Sequence, residues 1–337
     1  MSLQIDVLPL VAIGSLAEWD QFVTASGAPV FYSSRFLNSV ASAPLLPADS
    51  AILLLLHNEN NIVAALPVFR QNGIDPLRFL APLDSEFPDL PAKSGLLGHC
   101  WHCYDSQIVA AECETGSLRL LIDSLRAFAG TCHVDYSGLV NVADGRTLEA
   151  MVSAGVTPRP MVDRYVMDLT SFASFDDYIG ALHPDSRREL RRQFRRYQDS
   201  TAELAVEKSP FQDLDEVVRL CRRTAARYDA AFYYPEDETR TLLTNLGDVV
   251  RLVSVRIGGE RIGVLVCFLD PPRLHVWAAG MRYDKTAFSP YAIGMAEAIR
   301  FAITHSIRML EGGRGNGRIK KKQGFVPLQL YACLQRS

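Results

Sequence analysis

Val249-Val250-Arg251-Leu252-Val253-Ser254-Val255-Arg256-Ile257, followed by Gly258-Gly259 and an apolar run from Ile262 to Leu269, reads as a β-hairpin. The first segment is short and rich in β-branched residues, and the glycine pair supplies the positive φ angles of a tight turn. Pro271-Pro272 stops the returning strand, and Leu274-His275-Val276-Trp277-Ala278-Ala279 forms a third. After a loop from Gly280 to Phe288 the apolar period changes to that of a helix. Ala292, Met295, Ala296, Ile299, Ala302 and Ile303 share one face, away from Glu297, Arg300 and Thr304. Ser289 caps this helix and Pro290 takes its first position.

Around this stretch lies a chain of 337 residues, long enough for two domains with separate cores. Hydrophobic residues make up 48%, charged residues 22%, and the net charge is −3, so any attraction to nucleic acid must be local. No run is long and apolar enough to span a bilayer. Met1 to Leu16 lacks a basic n-region and a small-residue cleavage site and reads as a first strand. Seven scattered cysteines point to reduced thiols and a cytoplasmic protein.

The pattern of the opening stretch occurs earlier as well. Helices are expected over Ser15–Ala25 and Ser34–Val40, then a strand over Ala51–Leu56, a polar turn, and a returning strand over Ile62–Phe69. Val63–Phe69 lies without gaps over Ile262–Phe268, and Leu77–Ala81 lies over Leu274–Ala278 as the expected third strand. A helix over Gly116–Ala129, a strand over His133–Leu139 and a helix over Thr147–Ala154 complete this first copy, so the chain reads as one unit used twice. The boundary falls after Pro158-Arg159-Pro160, giving domains 1–163 and 164–337.

The second copy opens with Ser174 as a helix cap and then a helix from Pro184 that carries Arg187, Arg188, Arg191, Arg192, Arg195 and Arg196. These pairs repeat every four residues and spread over one broad face, with Leu190 and Phe194 opposite. A strand over Ala202–Lys208 and helices over Leu214–Tyr228 and Thr239–Leu246 follow. After the central stretch come a strand at Met309–Glu311, a loop from Gly312 to Gly324, and a closing strand over Pro327–Leu334. The loop reads Gly313-Arg314-Gly315-Asn316-Gly317-Arg318-Ile319-Lys320-Lys321-Lys322-Gln323-Gly324-Phe325. Its glycines let the backbone approach a ligand, and Arg314, Lys320 and Lys321 suit a phosphate or carboxylate.

An antiparallel meander feeding a helix resembles the acyl-donor half of the Gcn5-related N-acetyltransferase (GNAT) fold. The Gly-Arg-Gly tail and the arginine helix are similar to those of the FemAB-like and BioF2-like branch of that superfamily. The resemblance implies an α+β protein of two tandem GNAT-like domains, each a mixed, mostly antiparallel sheet flanked by helices, with the active site in the second. It implies an amide-forming acyltransferase, with the acyl carbonyl beside Trp277 to Gly280, where backbone N–H groups meet the oxyanion. His275, Asp284, Tyr291 and Glu311 are the candidate proton carriers. Trp277, Tyr283, Tyr233, Tyr234, Arg314, Asn316, Lys320 and Lys321 are the candidate substrate contacts.

The glycine-rich loop that wraps the pyrophosphate of coenzyme A in GNAT proteins is missing between Gly280 and Tyr291. Fem-type relatives do without it and take their acyl group from aminoacyl-tRNA, so the resemblance makes aminoacyl-tRNA the leading co-substrate. The six arginines then contact RNA phosphates. The acceptor is the amine of a small molecule or cell-wall precursor, with no resident cofactor and a monomeric or homodimeric protein. An acyl-CoA donor is the alternative within the fold, and a non-catalytic nucleic-acid-binding module the alternative outside it. His99-Cys100-Trp101-His102-Cys103 has ligand chemistry but no second pair at zinc-finger spacing, so no metal is expected.

Overall fold

The structure, a computed structural model, describes residues 3–58, 61–110, 115–284 and 286–337. The chain divides into two compact units, Met1–Asp163 with Gln329–Ser337, and Arg164–Leu328.

The first unit contains β1 (Leu3–Pro9), α1 (Trp19–Ser26), α2 (Ser34–Ser42), β2 (Ala48–Asn58), β3 (Asn61–Asn72), β4 (Ser94–Gly98), β5 (Val109–Ala110), α3 (Thr115–Cys132), β6 (Tyr136–Val142) and α4 (Gly145–Ser153). Strands β1 to β4 are antiparallel neighbours in chain order. β6 joins β4 in parallel, Gly95–Gly98 opposite Tyr136–Leu139, and α3 makes the crossover. The helical spacing of Leu118, Leu121, Ile122 and Leu125 puts all four against Leu54, Leu56, Leu66, Val68 and Leu96 of the sheet. The third strand of this copy is β4, not the expected Leu77–Ala81. The Asp75 carboxylate accepts hydrogen bonds from the N–H groups of Phe79 (2.7 Å) and Leu80 (2.9 Å), which curls that apolar run into turns.

In the second unit the elements are β7 (Arg159–Asp168), which starts before the boundary, α5 (Phe175–Ala181), α6 (Pro184–Gln198), β8 (Ala202–Lys208), α7 (Leu214–Ala226), α8 (Glu236–Leu246), β9 (Val250–Ile257), β10 (Glu260–Asp270), β11 (Arg273–Met281), α9 (Pro290–Thr304), β12 (Met309–Arg314) and α10 (Gly317–Lys322). Its strands run in the order β7-β12-β11-β10-β9-β8. β8 to β11 are antiparallel, and β11 meets β12 in parallel through the crossover helix α9. The element order of the first unit is thus repeated. Leu265, Cys267, Leu274, Val276 and Leu310 pack against Met295, Ala296, Ile299 and Ala302 of α9. Ser289 caps α9, its hydroxyl accepting from the Ala292 N–H, with Pro290 next.

α7 covers the other side of the sheet and is held there by charge. Arg261 of β10, 1% exposed, donates to both oxygens of Glu207 (3.1 and 3.0 Å), to Glu216 of α7 (3.1 Å) and to the Ser254 hydroxyl (3.1 Å). Arg256 lies 3.8 Å from Glu207 and 3.7 Å from Glu216, so two guanidinium groups balance two carboxylates. Midway along α7 a Cβ built on Gly280 of β11 would lie 2.6 Å from the Leu220 backbone, an approach only glycine permits.

The last segment departs from the sequence reading in two ways. The expected loop from Gly312 to Gly324 contains the end of β12 and all of α10. The closing strand, β13 (Val326–Arg336), leaves the second unit: Tyr331 to Arg336 pair antiparallel with Val142 to Tyr136 of β6. Residues 329–337 therefore belong to the first unit rather than to a domain 164–337. The unpaired edge of β6 supplies the reason, since its N–H and C=O groups need a ladder partner.

Candidate active site

The parallel pair of β11 and β12 ends early. Arg273–His275 pair with Met309–Glu311, and beyond them the two strands part. Two irregularities turn them away from one another. On β11, Val276 pairs with Cys267 and Ala278 with Val266, which leaves Trp277 as an extra residue in the ladder. On β12, the register with β7 shifts between Glu311 and Gly313, and Gly313 has a φ of +68°. An extra residue bends its strand and strengthens the twist, so a bulge on each side opens a wedge between them. Among the described residues no strand of the second unit pairs with β11 on that side from Val276 to Gly280, and a strand edge outside a ladder presents backbone N–H groups.

His275 and Glu311 form the last register pair and close the root of the wedge. His275 is fully buried, with Nε2 hydrogen-bonded to Asp270 Oδ2 at 3.2 Å. Glu311 is 3% exposed and lies 3.4 Å from the Arg164 Nε across the β12–β7 ladder. Both predicted proton carriers are thus brought together, each beside a charged partner.

Aromatic rings line one side of the opening. Trp277 stacks on Phe268 at 5.1 Å between centroids and meets the Tyr234 edge at 5.5 Å, and Tyr234 meets Tyr233 at 5.2 Å. Burial, more than any neighbouring charge, pushes the Tyr234 phenol well above its ordinary range. The Arg314 guanidinium, at the end of β12, donates to the Tyr233 hydroxyl at 3.0 Å. The tyrosine pair, the tryptophan and the arginine expected to meet the substrate therefore form one continuous wall.

Beneath Arg314 sits Lys320, 4% exposed. Its Nζ donates to the carbonyls of Gly313 (3.1 Å) and Arg314 (2.9 Å) and lies 5.4 Å from the Tyr165 ring centroid. Burial, reinforced by the charge of Arg314, lowers the Lys320 ammonium to about 7. Two glycines make room for this arrangement. A Cβ on Gly317 would fall 1.9 Å from the Tyr165 hydroxyl, and one on Gly312 would fall 2.8 Å from the Phe325 ring. Lys320 holds the loop rather than facing solvent, and Lys321 and Asn316 are exposed on it.

Other expected residues lie elsewhere. Asp284 is in the exposed loop after β11, three residues past Met281, where the strand ends about 20 Å from His275. It pairs with Arg282 (3.3 Å) and Arg223 (3.7 Å), and the bond from Arg282 holds its carboxyl below the usual range. Asp284 is thus held by two arginines beyond the end of β11 and is not brought together with His275 and Glu311. Tyr291 packs against the core in the first turn of α9, where burial pushes its phenol up. Tyr283 is exposed at the same loop, with Arg227 5.5 Å over its ring.

The α6 arginines fall into two rows. Arg188 pairs with Asp185 (2.8 Å), Arg192 with Glu189 (2.6 Å), and Arg196 donates to the Ala287 carbonyl (3.1 Å). Arg187, Arg191 and Arg195, four residues apart, make no ion pair among the described residues and form a stripe of unneutralised charge. Arg261, Arg164 and Asp270 were not anticipated. An arginine two residues beyond the Gly258-Gly259 turn, at the start of an apolar strand, is a legible sign of the first, whereas the other two depend on strand register.

His99 to Cys103 serve the first unit's packing. The buried His99 ring donates from Nε2 to the Phe31 carbonyl (2.9 Å) and accepts from the Cys100 N–H at Nδ1 (2.8 Å), which fixes a neutral tautomer. Burial lowers this ring to about 4. Among the described residues no group of three or more histidine, cysteine or acidic side chains is placed to hold a metal ion, and no helix is long and apolar enough to cross a membrane.

Residues 184–321 match the family model described as an acetyltransferase (GNAT) domain. No curated protein sequence matches the chain. Solved structures do resemble it: FemX, at 9% identity and a TM-score of 0.63, over 94% of this chain and 95% of that one. A tandem GNAT protein from the clavulanic acid biosynthesis pathway aligns at 11% identity and a TM-score of 0.58, over 99% and 98% of the two chains. L-PGS from Bacillus licheniformis aligns at 10% identity and a TM-score of 0.58, over 94% and 90%. At such identities the likeness is one of fold, and the fold is the tandem-GNAT arrangement.

Proposed function

Given a tandem-GNAT fold whose residues 184–321 match an acetyltransferase (GNAT) domain model, we propose that the protein joins an aminoacyl group, taken from aminoacyl-tRNA, to the amine of a small molecule or cell-wall precursor. The wedge between β11 and β12 is the observation that carries this reading. It offers a carbonyl the β11 backbone beyond its last pair with β12 on one flank and the Tyr233–Arg314 wall on the other. The amine nitrogen attacks the ester carbonyl, and the oxyanion draws on preorganised N–H donors. As the tetrahedral species collapses, the C–O bond to the terminal ribose breaks, the ribose oxygen gains a proton and the nitrogen loses one. His275 and Glu311, at the wedge root, are the groups positioned to relay that proton. Lys320 acts as a positioning residue, holding Arg314 through two carbonyl bonds.

Two features favour the RNA-borne donor. The loop after β11 lacks the glycine run that wraps a diphosphate, and α6 presents Arg187, Arg191 and Arg195 without acidic partners among the described residues. A second reading, an acyl-CoA donor, draws on the acetyltransferase family model itself. Mass spectrometry of amine pools incubated with charged tRNA, and in parallel with acyl-CoA mixtures, tests both. Amide products from charged tRNA that disappear in an Arg191→Glu, Arg195→Glu variant support the first reading. Products from acyl-CoA alone favour the second, and no product from either donor overturns acyl transfer.

A further inference from the structure

The mouth of the wedge carries a feature that neither the carbonyl nor the proton relay explains. Three large aromatic side chains stand in solvent there: Tyr228 is 70% exposed, Phe232 46% and Tyr283 45%. Soluble surfaces seldom gather such residues without a use. Local geometry brings Tyr228 and Tyr283 to one place. The Met281 N–H, at the end of β11, donates to the Thr224 hydroxyl of α7 at 2.8 Å, which pins the last turn of α7 against the strand end. Tyr283 follows that bond by two residues and Tyr228 by four. Burial and the neighbouring Tyr228 raise the Tyr283 phenol, opposed by Arg227, whose guanidinium lies 5.5 Å over the Tyr283 ring. Phe232 sits one residue before Tyr233, the tyrosine that receives Arg314.

Charge accompanies the rings. Arg219, Arg223 and Arg227 recur every four residues on the exposed side of α7, and Arg282 flanks them from the loop. Asp284 takes up Arg223 and Arg282, and Glu260 also pairs with Arg282, while Arg219 and Arg227 have no acidic partner among the described residues. Exposed rings beside unneutralised guanidinium groups suit an unpaired base and its phosphate, because base-on-ring stacking adds to charge attraction.

We infer that the mouth of the wedge is a nucleotide-binding platform, in which Tyr228 and Tyr283 stack an adenine base and Arg219 and Arg227 hold the adjoining phosphate. The inference rests on the acyl-transfer reading, since both candidate donors carry an adenosine: aminoacyl-tRNA at its 3′ end, acyl-CoA in its 3′-phosphorylated nucleotide. Side chains thereby take over the anion binding that a glycine-rich loop would supply from its backbone. The platform stands at the open end of β11, so a base held there leaves its acyl ester free to enter the gap beside Trp277.

The test titrates the full-length protein with two probes, the trinucleotide 5′-CpCpA-3′ and adenosine 3′,5′-bisphosphate, by calorimetry. Binding of either probe, weakened about tenfold or more by Tyr228→Ala and again by Tyr283→Leu, supports the platform. The probe that binds more tightly identifies the donor. Tyr228→Ala, at a solvent-facing position, leaves the melting temperature unchanged and so separates loss of binding from loss of fold. No binding of either probe, or binding that changes less than twofold in both variants, overturns it. Product formation that persists undiminished in both variants removes the platform but keeps acyl transfer. Tyrosine-dependent adenosine binding in a protein that transfers nothing keeps the platform and removes the transfer reading.

Discussion

Replacing Lys320 by methionine offers a direct measure of how the Gly-Arg-Gly segment is held. In the folded protein burial and Arg314 lower this amine to about 7, while in the unfolded chain it titrates near its ordinary 10.5. Between those values the unfolded chain binds the proton and the native one does not, so stability rises with pH across the window. Burying the group costs the native state most below pH 7, where the ammonium is charged in both states, and the cost fades toward pH 10.5. Integration gives about 3 kcal/mol more stability at pH 9.5 than at pH 7 from this residue alone. Methionine has similar length and no titration. The difference in unfolding free energy between wild type and Lys320→Met, from urea titrations at the two pH values, should therefore shift by about 3 kcal/mol in favour of the wild type at pH 9.5. Comparing the two proteins at each pH cancels tyrosines such as Tyr178, which buried phenols make stability-lowering only above their unfolded range. Parallel profiles would refute the reasoning: the ammonium would then persist when buried, held by the Gly313 and Arg314 carbonyls and the Tyr165 face.

Arg261→Met should destabilise the fold by about 3–5 kcal/mol in chemical denaturation, because Glu207 and Glu216 would be left with Arg256 alone. Gly280→Ala should cost at least about 1–3 kcal/mol, since the new methyl meets the Leu220 backbone and α7 must shift; a thermal melt equal to wild type would contradict the close approach. RNA binding measured against salt should lose about two units of log–log slope in the Arg191→Glu, Arg195→Glu variant, and an unchanged slope would remove the stripe from the binding face. Arg314→Lys should lower product formation while leaving the melting temperature within a few degrees, as lysine keeps the charge but loses the fixed reach to Tyr233.

Local chemistry made the second copy legible. The Gly258-Gly259 turn, the Pro271-Pro272 stop and the Ser289-Pro290 cap each act within a few residues, and the strands and helix they delimit are β9, β10, β11 and α9. The arginine helix was readable for the same reason, with its proline at the first position. Where partners are distant in sequence the reading failed. Leu77–Ala81 looks like a strand until the Asp75 carboxylate is seen to collect two N–H groups. Asp284 was a reasonable proton carrier by position, but Arg223 arrives from another helix to claim it. The wall of Tyr233, Tyr234, Trp277 and Arg314 was expected from its residue types, yet its continuity depends on a bulge that no residue at Trp277 announces.

The assignment of the final nine residues to the first unit bears on the order in which the protein is made. As the chain leaves the ribosome, β6 emerges nearly two hundred residues ahead of the segment that will lie alongside it. During that interval a strand buried along its whole length in the finished protein has one bare flank, the kind of surface that invites wrong partners. Gly138, where an added Cβ would fall 2.0 Å from the Cys333 carbonyl oxygen, waits on the same arrival. The first unit is thus begun early and completed only when Tyr331 to Arg336 arrive, and loss of those residues would be felt at β6.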